Sequence, residues 1–129
     1  MSDIEQNKRA AVEYINLAFN EGKPDEAVER YQGPMYIQHN PMAADGAEPF
    51  IGFVKYLKSE FPEFTYEVKR VIGEGDLVAV HGHLKNTPDD RGMAVVDILR
   101  YENGKAVEHW DVIQPIPDPE TFKNDNGMF

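Results

Sequence analysis

Four residues in the second half of the chain carry the groups that proton transfer needs. Asp97, His109 and Asp111 lie in two apolar runs, 95–101 and 105–114, and His81 lies in the run before them. Charged groups inside an apolar strand are costly unless they are paired or open onto a cavity. They therefore point to one wall of a polar pocket. A carboxylate beside imidazoles holds a histidine in one tautomer and tunes its basicity, as general acid–base catalysis requires. Equally, Asp97 serves as the base, its pKa raised by apolar surroundings, with a histidine donating to a developing oxyanion.

Strand register decides whether these groups meet. Asn103-Gly104, between the two runs, is a strong hairpin signal. A three-residue loop over 102–104, with Gly104 in the left-handed bulge position, sets Asp97 opposite His109 and Val95 opposite Asp111. A two-residue turn sets Asp97 opposite Trp110 and sends His109 to the other face. The three-residue loop is the expected one, because it gathers the costly groups and leaves the other face almost wholly apolar. A five-residue loop over 87–91 would likewise set His81 opposite Asp97. The expectation is a row of candidate catalytic residues, His81, Asp97 and His109, across three strands. His39, Tyr14, Tyr36, Trp110 and Asp111 are candidate substrate-binding residues, with Tyr56 a further aromatic wall. The plainer alternatives are a satisfied core histidine, a core Trp110, and an Asp111 paired with Arg100.

Other chemistries fall away. The chain has no cysteine, so disulfides, thiolate metal sites and a cysteine nucleophile are excluded. The two serines, Ser2 and Ser59, lack a nucleophile-elbow context. His81-Gly82-His83 puts two imidazoles on one strand face, as metal sites do, but no glutamate follows at cupin spacing. No metal and no cofactor are expected.

The elements that must position these groups follow from periodicity. Ser2 to Glu5 reads as a capping box opening a helix that runs to Gly22. A second helix spans 24–31, a brief strand 35–39, and a third helix 48–61 with Phe50, Phe53, Val54, Leu57 and Phe61 as its apolar stripe. Strands over 64–72, 77–85, 92–101 and 105–114, with short links, make an antiparallel meander. Helices first and strands afterwards give an α+β domain over 1–115, helices packed on one face of a curved antiparallel sheet, with a tail over 116–129. The last strands are apolar on both faces, so a second copy of the chain is the simplest cover for the outer one.

At 129 residues the chain is one domain by the usual length prior. Its net charge of −10 argues against nucleic acid and anionic membranes as partners. No stretch approaches the ~18 apolar residues of a membrane span, and the amino-terminal residues form no apolar signal. A cytoplasmic protein is the expectation.

The segments Tyr36 to Pro41, Asp45-Gly46, Gly75 to His81, Asp97 to Arg100 and Asn103 to Asp111 together resemble the SnoaL-like polyketide cyclase family of the nuclear transport factor 2 superfamily. The resemblance spans about residues 8–115. It implies a cone-shaped, cystatin-like α+β fold around a deep cavity, commonly dimerising through the outer sheet face. It also implies an aldol cyclisation without cofactor or metal, driven by an aspartate acid–base. Asp97 matches that role, with His39, His81 and His109 as pocket partners, on a small hydrophobic carbonyl substrate. Related isomerases and dehydratases share the fold, as do modules that only bind small molecules, which is the alternative reading.

Overall fold

Asp3 caps the first helix, its carboxylate accepting from the Gln6 N–H at 3.1 Å. The computed structural model describes residues 3–129, so the capping role expected of Ser2 lies outside the described residues. Helix α1 runs over Ile4–Ile15 and then widens into a π-helical turn, Asn16–Asn20, where one uniform helix was expected. Such widenings recur near functional sites because they re-aim side chains. Helices α2 (Pro24–Tyr31) and α3 (Ala47–Glu60) follow, separated by strand β1 (Gln32–Gln38).

Strands β2 (Thr65–Glu74), β3 (Leu77–Lys85), β4 (Met93–Glu102) and β5 (Lys105–Pro115) form the expected antiparallel meander. The sheet order is β1-β5-β4-β3-β2, and β1 lies parallel to β5, so the five-stranded sheet is mixed rather than wholly antiparallel. The reason is the connection: α3 carries the chain from one sheet edge to the opposite one, so β1 never meets β2 in a hairpin. Ala11, Tyr14, Ile15 and Ala18 pack on the inner face against Val78, Val80, Val95 and Leu99, all at most 3% exposed. Each buried Val or Leu of this kind contributes roughly 1.5–3 kcal/mol.

Register differs from expectation at both hairpins. Asn103 and Gly104 both have positive φ, 52° and 78°, and Glu102 pairs with Lys105, which is a two-residue turn. Alone, that turn would send His109 away from Asp97. A β-bulge follows at once: Tyr101 pairs with Ala106 but Arg100 with Glu108, leaving Val107 as the inserted residue. The insertion returns His109 and Asp111 to the face of Asp97. Asp97 lies opposite Asp111, and His109 opposite Leu99.

At the preceding hairpin the last pair is Leu84 with Met93, so the loop is longer than the expected five residues. Asp90 closes it by accepting from the Asn86 and Gly92 N–H groups at 2.9 and 3.0 Å. Val80 therefore faces Asp97, and His81 pairs with Val96 on the outer face. The row of three is a pair.

Candidate functional site

Between the helices and the inner face lies a cavity of about 250 Å³. Its walls are apolar: Ile15 and Phe19 from α1 and its π-helical turn, Phe50 and Phe53 from α3, and Leu99 from β4. Tyr14 and Tyr36 also line it, as expected. The polar groups gather at one end, where Gln38, Asn40, Asp97, His109 and Asp111 converge. The side chains of His109, Asp97 and Asp111 are only 12%, 14% and 14% exposed.

Asp97 is held at both oxygens. His109 Nε2 lies 2.8 Å from Oδ1, and the Tyr66 hydroxyl donates to Oδ2 at 2.5 Å. Burial, reinforced by the Asp97 charge, pushes the Tyr66 phenol far above its ordinary pKa, so it stays a proton donor. Tyr66 starts on edge strand β2 and reaches over β3. Gly82 makes this possible, since a Cβ there would lie 2.3 Å from the Tyr66 ring. The backbone of Tyr66 is fixed in turn by Asn20 at the end of the π-helical turn. Asn20 Nδ2 donates to Tyr66 O, and Tyr66 N–H donates to Asn20 Oδ1, both at 2.8 Å. The unpaired edge of β2 is what leaves those backbone groups free for a side chain.

On the other side of His109, Nδ1 lies 2.5 Å from Gln38 Oε1, and Tyr36 stacks on the ring at 6.1 Å. The parallel β1–β5 pairing places Gln38 beside His109. Asn40 Nδ2 donates to both Asp111 oxygens, at 3.1 and 3.0 Å, and Asp111 Oδ2 lies 3.9 Å from His109 Nε2. Among the described residues Asp97, His109 and Asp111 are the one group of three with spacing that would admit a cation, their donor atoms lying within 4.8 Å of one another. Two carboxylates and an imidazole beside an apolar chamber can also move protons to and from carbon or oxygen.

Several expected members lie elsewhere. His81 is on the outer face, its Nδ1 against the Arg70 guanidinium and its ring 5.4 Å from Phe129 of the tail. His39 and Trp110 also face outward: Trp110 follows the inward-facing His109 on β5, and His39 follows the inward-facing Gln38 just past the end of β1. They stack on each other at 4.8 Å, with His39 Nε2 2.6 Å from Glu108. Tyr56 is 64% exposed on α3 and is not part of this cavity's wall. Asp111 does not pair with Arg100, which binds Glu102 and Glu108 instead. Tyr66, Gln38, Asn40 and Asn20 were not anticipated. A signal for Tyr66 existed in the glycine of His81-Gly82-His83, which marks a place where a neighbouring strand's ring can lie.

A family model for the SnoaL-like domain matches residues 11–109. No curated protein matches the sequence significantly. Among solved structures, TsrD from Streptomyces laurentii is similar at a TM-score of 0.73 and 19% identity, over 88% of this chain and 91% of that one. A candidate polyketide cyclase from Bacillus cereus aligns at 0.72 and 20% identity, over 84% of this chain and 74% of that one. IdmH from Streptomyces antibioticus aligns at 0.65 and 22% identity, over 84% and 91%. At these identities the likeness shows the fold.

Proposed function

Because the chain belongs to the SnoaL-like family, whose fold alone does not fix a reaction, we propose from its site that it is a cofactor-independent acid–base enzyme acting on a small, largely apolar carbonyl compound. One observation carries the reading: Asp97 stands at the polar end of an apolar cavity with each oxygen held by a separate donor. Donors fixed on both oxygens aim the carboxylate before any substrate arrives, and the apolar walls suit the carbon skeleton.

In this reading Asp97 takes a proton from the carbon next to the carbonyl. The electron pair moves to the carbonyl oxygen, where the Nε2 proton of His109 meets the developing charge. The resulting enol or enolate then attacks a second carbonyl, is reprotonated elsewhere, or expels a hydroxide. Cyclisation, isomerisation and dehydration share the first step. Tyr66 does not line the cavity and acts through Asp97 as a positioning residue. A second copy of the chain covers the outer sheet face, where Ile72, Leu77 and Val112 stand exposed.

The test is α-proton exchange. A panel of small cyclic ketones and β-dicarbonyl compounds is incubated in deuterium oxide, and deuterium uptake is followed by proton NMR. The parent is expected to accelerate exchange for at least one scaffold, and Asp97→Asn to lose that acceleration by roughly 10²–10⁴-fold while still folded. Equal exchange in the two proteins would remove Asp97 from the role.

A further inference from the structure

We infer that Gln38 is a positioning residue that holds His109 in its Nδ1–H form, leaving a single mobile proton between His109 Nε2 and Asp97. The inference comes from counting donors and acceptors. An amide side chain can present either its oxygen or its nitrogen to a neighbour, and here the choice is fixed by a third group. The backbone N–H of Asn40 donates to Gln38 Oε1 at 3.2 Å. That same oxygen lies 2.5 Å from His109 Nδ1. A carbonyl oxygen cannot donate, so Nδ1 carries the hydrogen.

The backbone keeps Gln38 where this requires. Its own N–H donates to Asp45 Oδ1 at 2.8 Å, and β1 registers Gln38 directly beside His109. The His39 N–H donates to His109 O at 3.0 Å, closing the pair of strands next to the ring. With Nδ1 committed to Gln38, the 2.8 Å contact between Nε2 and Asp97 Oδ1 holds one proton in either of two ways. It is imidazolium with carboxylate, or imidazole with carboxylic acid. The other titratable groups facing the ring are Asp111 from β5 and Tyr36 from β1, and neither approaches Nδ1 as Gln38 does.

The catalytic consequence rests on the acid–base function proposed above. When Asp97 takes a carbon-bound proton, the C–H bond breaks, an O–H bond forms, and its electron pair passes to the carbonyl oxygen. That oxygen receives the Nε2 proton. His109 is left as neutral imidazole with its hydrogen still on Nδ1, and the reverse transfers reset the pair.

The test needs no substrate. Long-range proton–nitrogen NMR on labelled protein near neutral pH reads each histidine nitrogen as protonated or bare, with His109 assigned through a His109→Gln variant. The parent is expected to show a protonated Nδ1. Gln38→Glu, which keeps an acceptor oxygen, should preserve it. Gln38→Leu should shift neutral His109 to the Nε2–H form, donating to Asp97. A bare Nδ1 in the parent overturns the inference, and so does an unchanged Nδ1 signal in Gln38→Leu. If Gln38→Leu does not fold, the parent and Gln38→Glu spectra decide. Should the spectra match expectation while α-proton exchange is absent, the role of Gln38 stands and the proposed function falls.

Discussion

The ring of Tyr66 lies against Gly82, and that contact lets a residue on the edge strand reach Asp97 two strands away. Gly82→Ala would bring a methyl group within 2.3 Å of Tyr66 Cε1. At that distance the Tyr66 ring must shift or β3 must move locally against its neighbours, to which Gly82 is paired at Val68 and Val95. A loss of roughly 1–3 kcal/mol in urea unfolding is expected, as for other overpacked cores. α-Proton exchange should fall with it.

Tyr66→Phe separates the hydroxyl from the ring. The ring keeps its packing on Gly82, and Asp97 Oδ2 loses its donor. Stability should drop by about 1–3 kcal/mol, the usual effect of orphaning a covered polar group. Turnover should fall roughly tenfold or more with KM little changed, because Tyr66 is not part of the cavity wall. A KM effect without a kcat effect would contradict the positioning role.

Acid should destabilise the fold in two windows. Burial, then the Arg70 charge, lowers the His81 pKa from its ordinary 6.5, so protonation favours the unfolded chain. That contribution is complete above pH 6.5 and fades as pH falls below it. Hydrogen bonds from Arg100 and then His39 lower the Glu108 pKa from its ordinary 4.5. Its contribution is present above pH 4.5 and is lost as pH drops through the depressed value. Urea midpoints from pH 7.5 down to well below 4.5 read both windows. His81→Gln should flatten the upper one and leave the lower one in place.

The outer face makes its own prediction. Ile72 is 62% exposed and Val112 70%, and both project from the side opposite the cavity. If a second copy covers them, the parent sediments at two chain masses and Val112→Arg at one, with the cavity chemistry of each protomer retained. A parent that sediments at one chain mass at micromolar concentration would refute the dimer.

How much was legible can be judged from single residues. The apolar runs with buried charges located Asp97, His109 and Asp111, and the periodicities located the helices and the meander. The face shared by those three depended on Val107, an insertion that looks like any other strand valine. His81 was misplaced because loop 86–92 is closed by a side chain, Asp90, rather than by a standard short turn. Alternation alone would have turned Trp110 away once His109 was placed inward, and His39 away from Gln38. Gln38 was invisible for a different reason. Its role needs β1 parallel to β5, a pairing across 71 positions that no local pattern announces.

That pairing also separates what the meander supplies to the site from what the first strand supplies. Strands β2 to β5 are joined by short links, and their own pairings bring Asp97, His109 and Tyr66 together. Those four strands hold the carboxylate and the imidazole but neither Gln38 nor Asn40. On the inference drawn for Gln38, the proton position on His109 is defined by the first strand lying beside the last. The acid–base chemistry proposed for Asp97 and His109 would therefore require the completed sheet, not the meander alone.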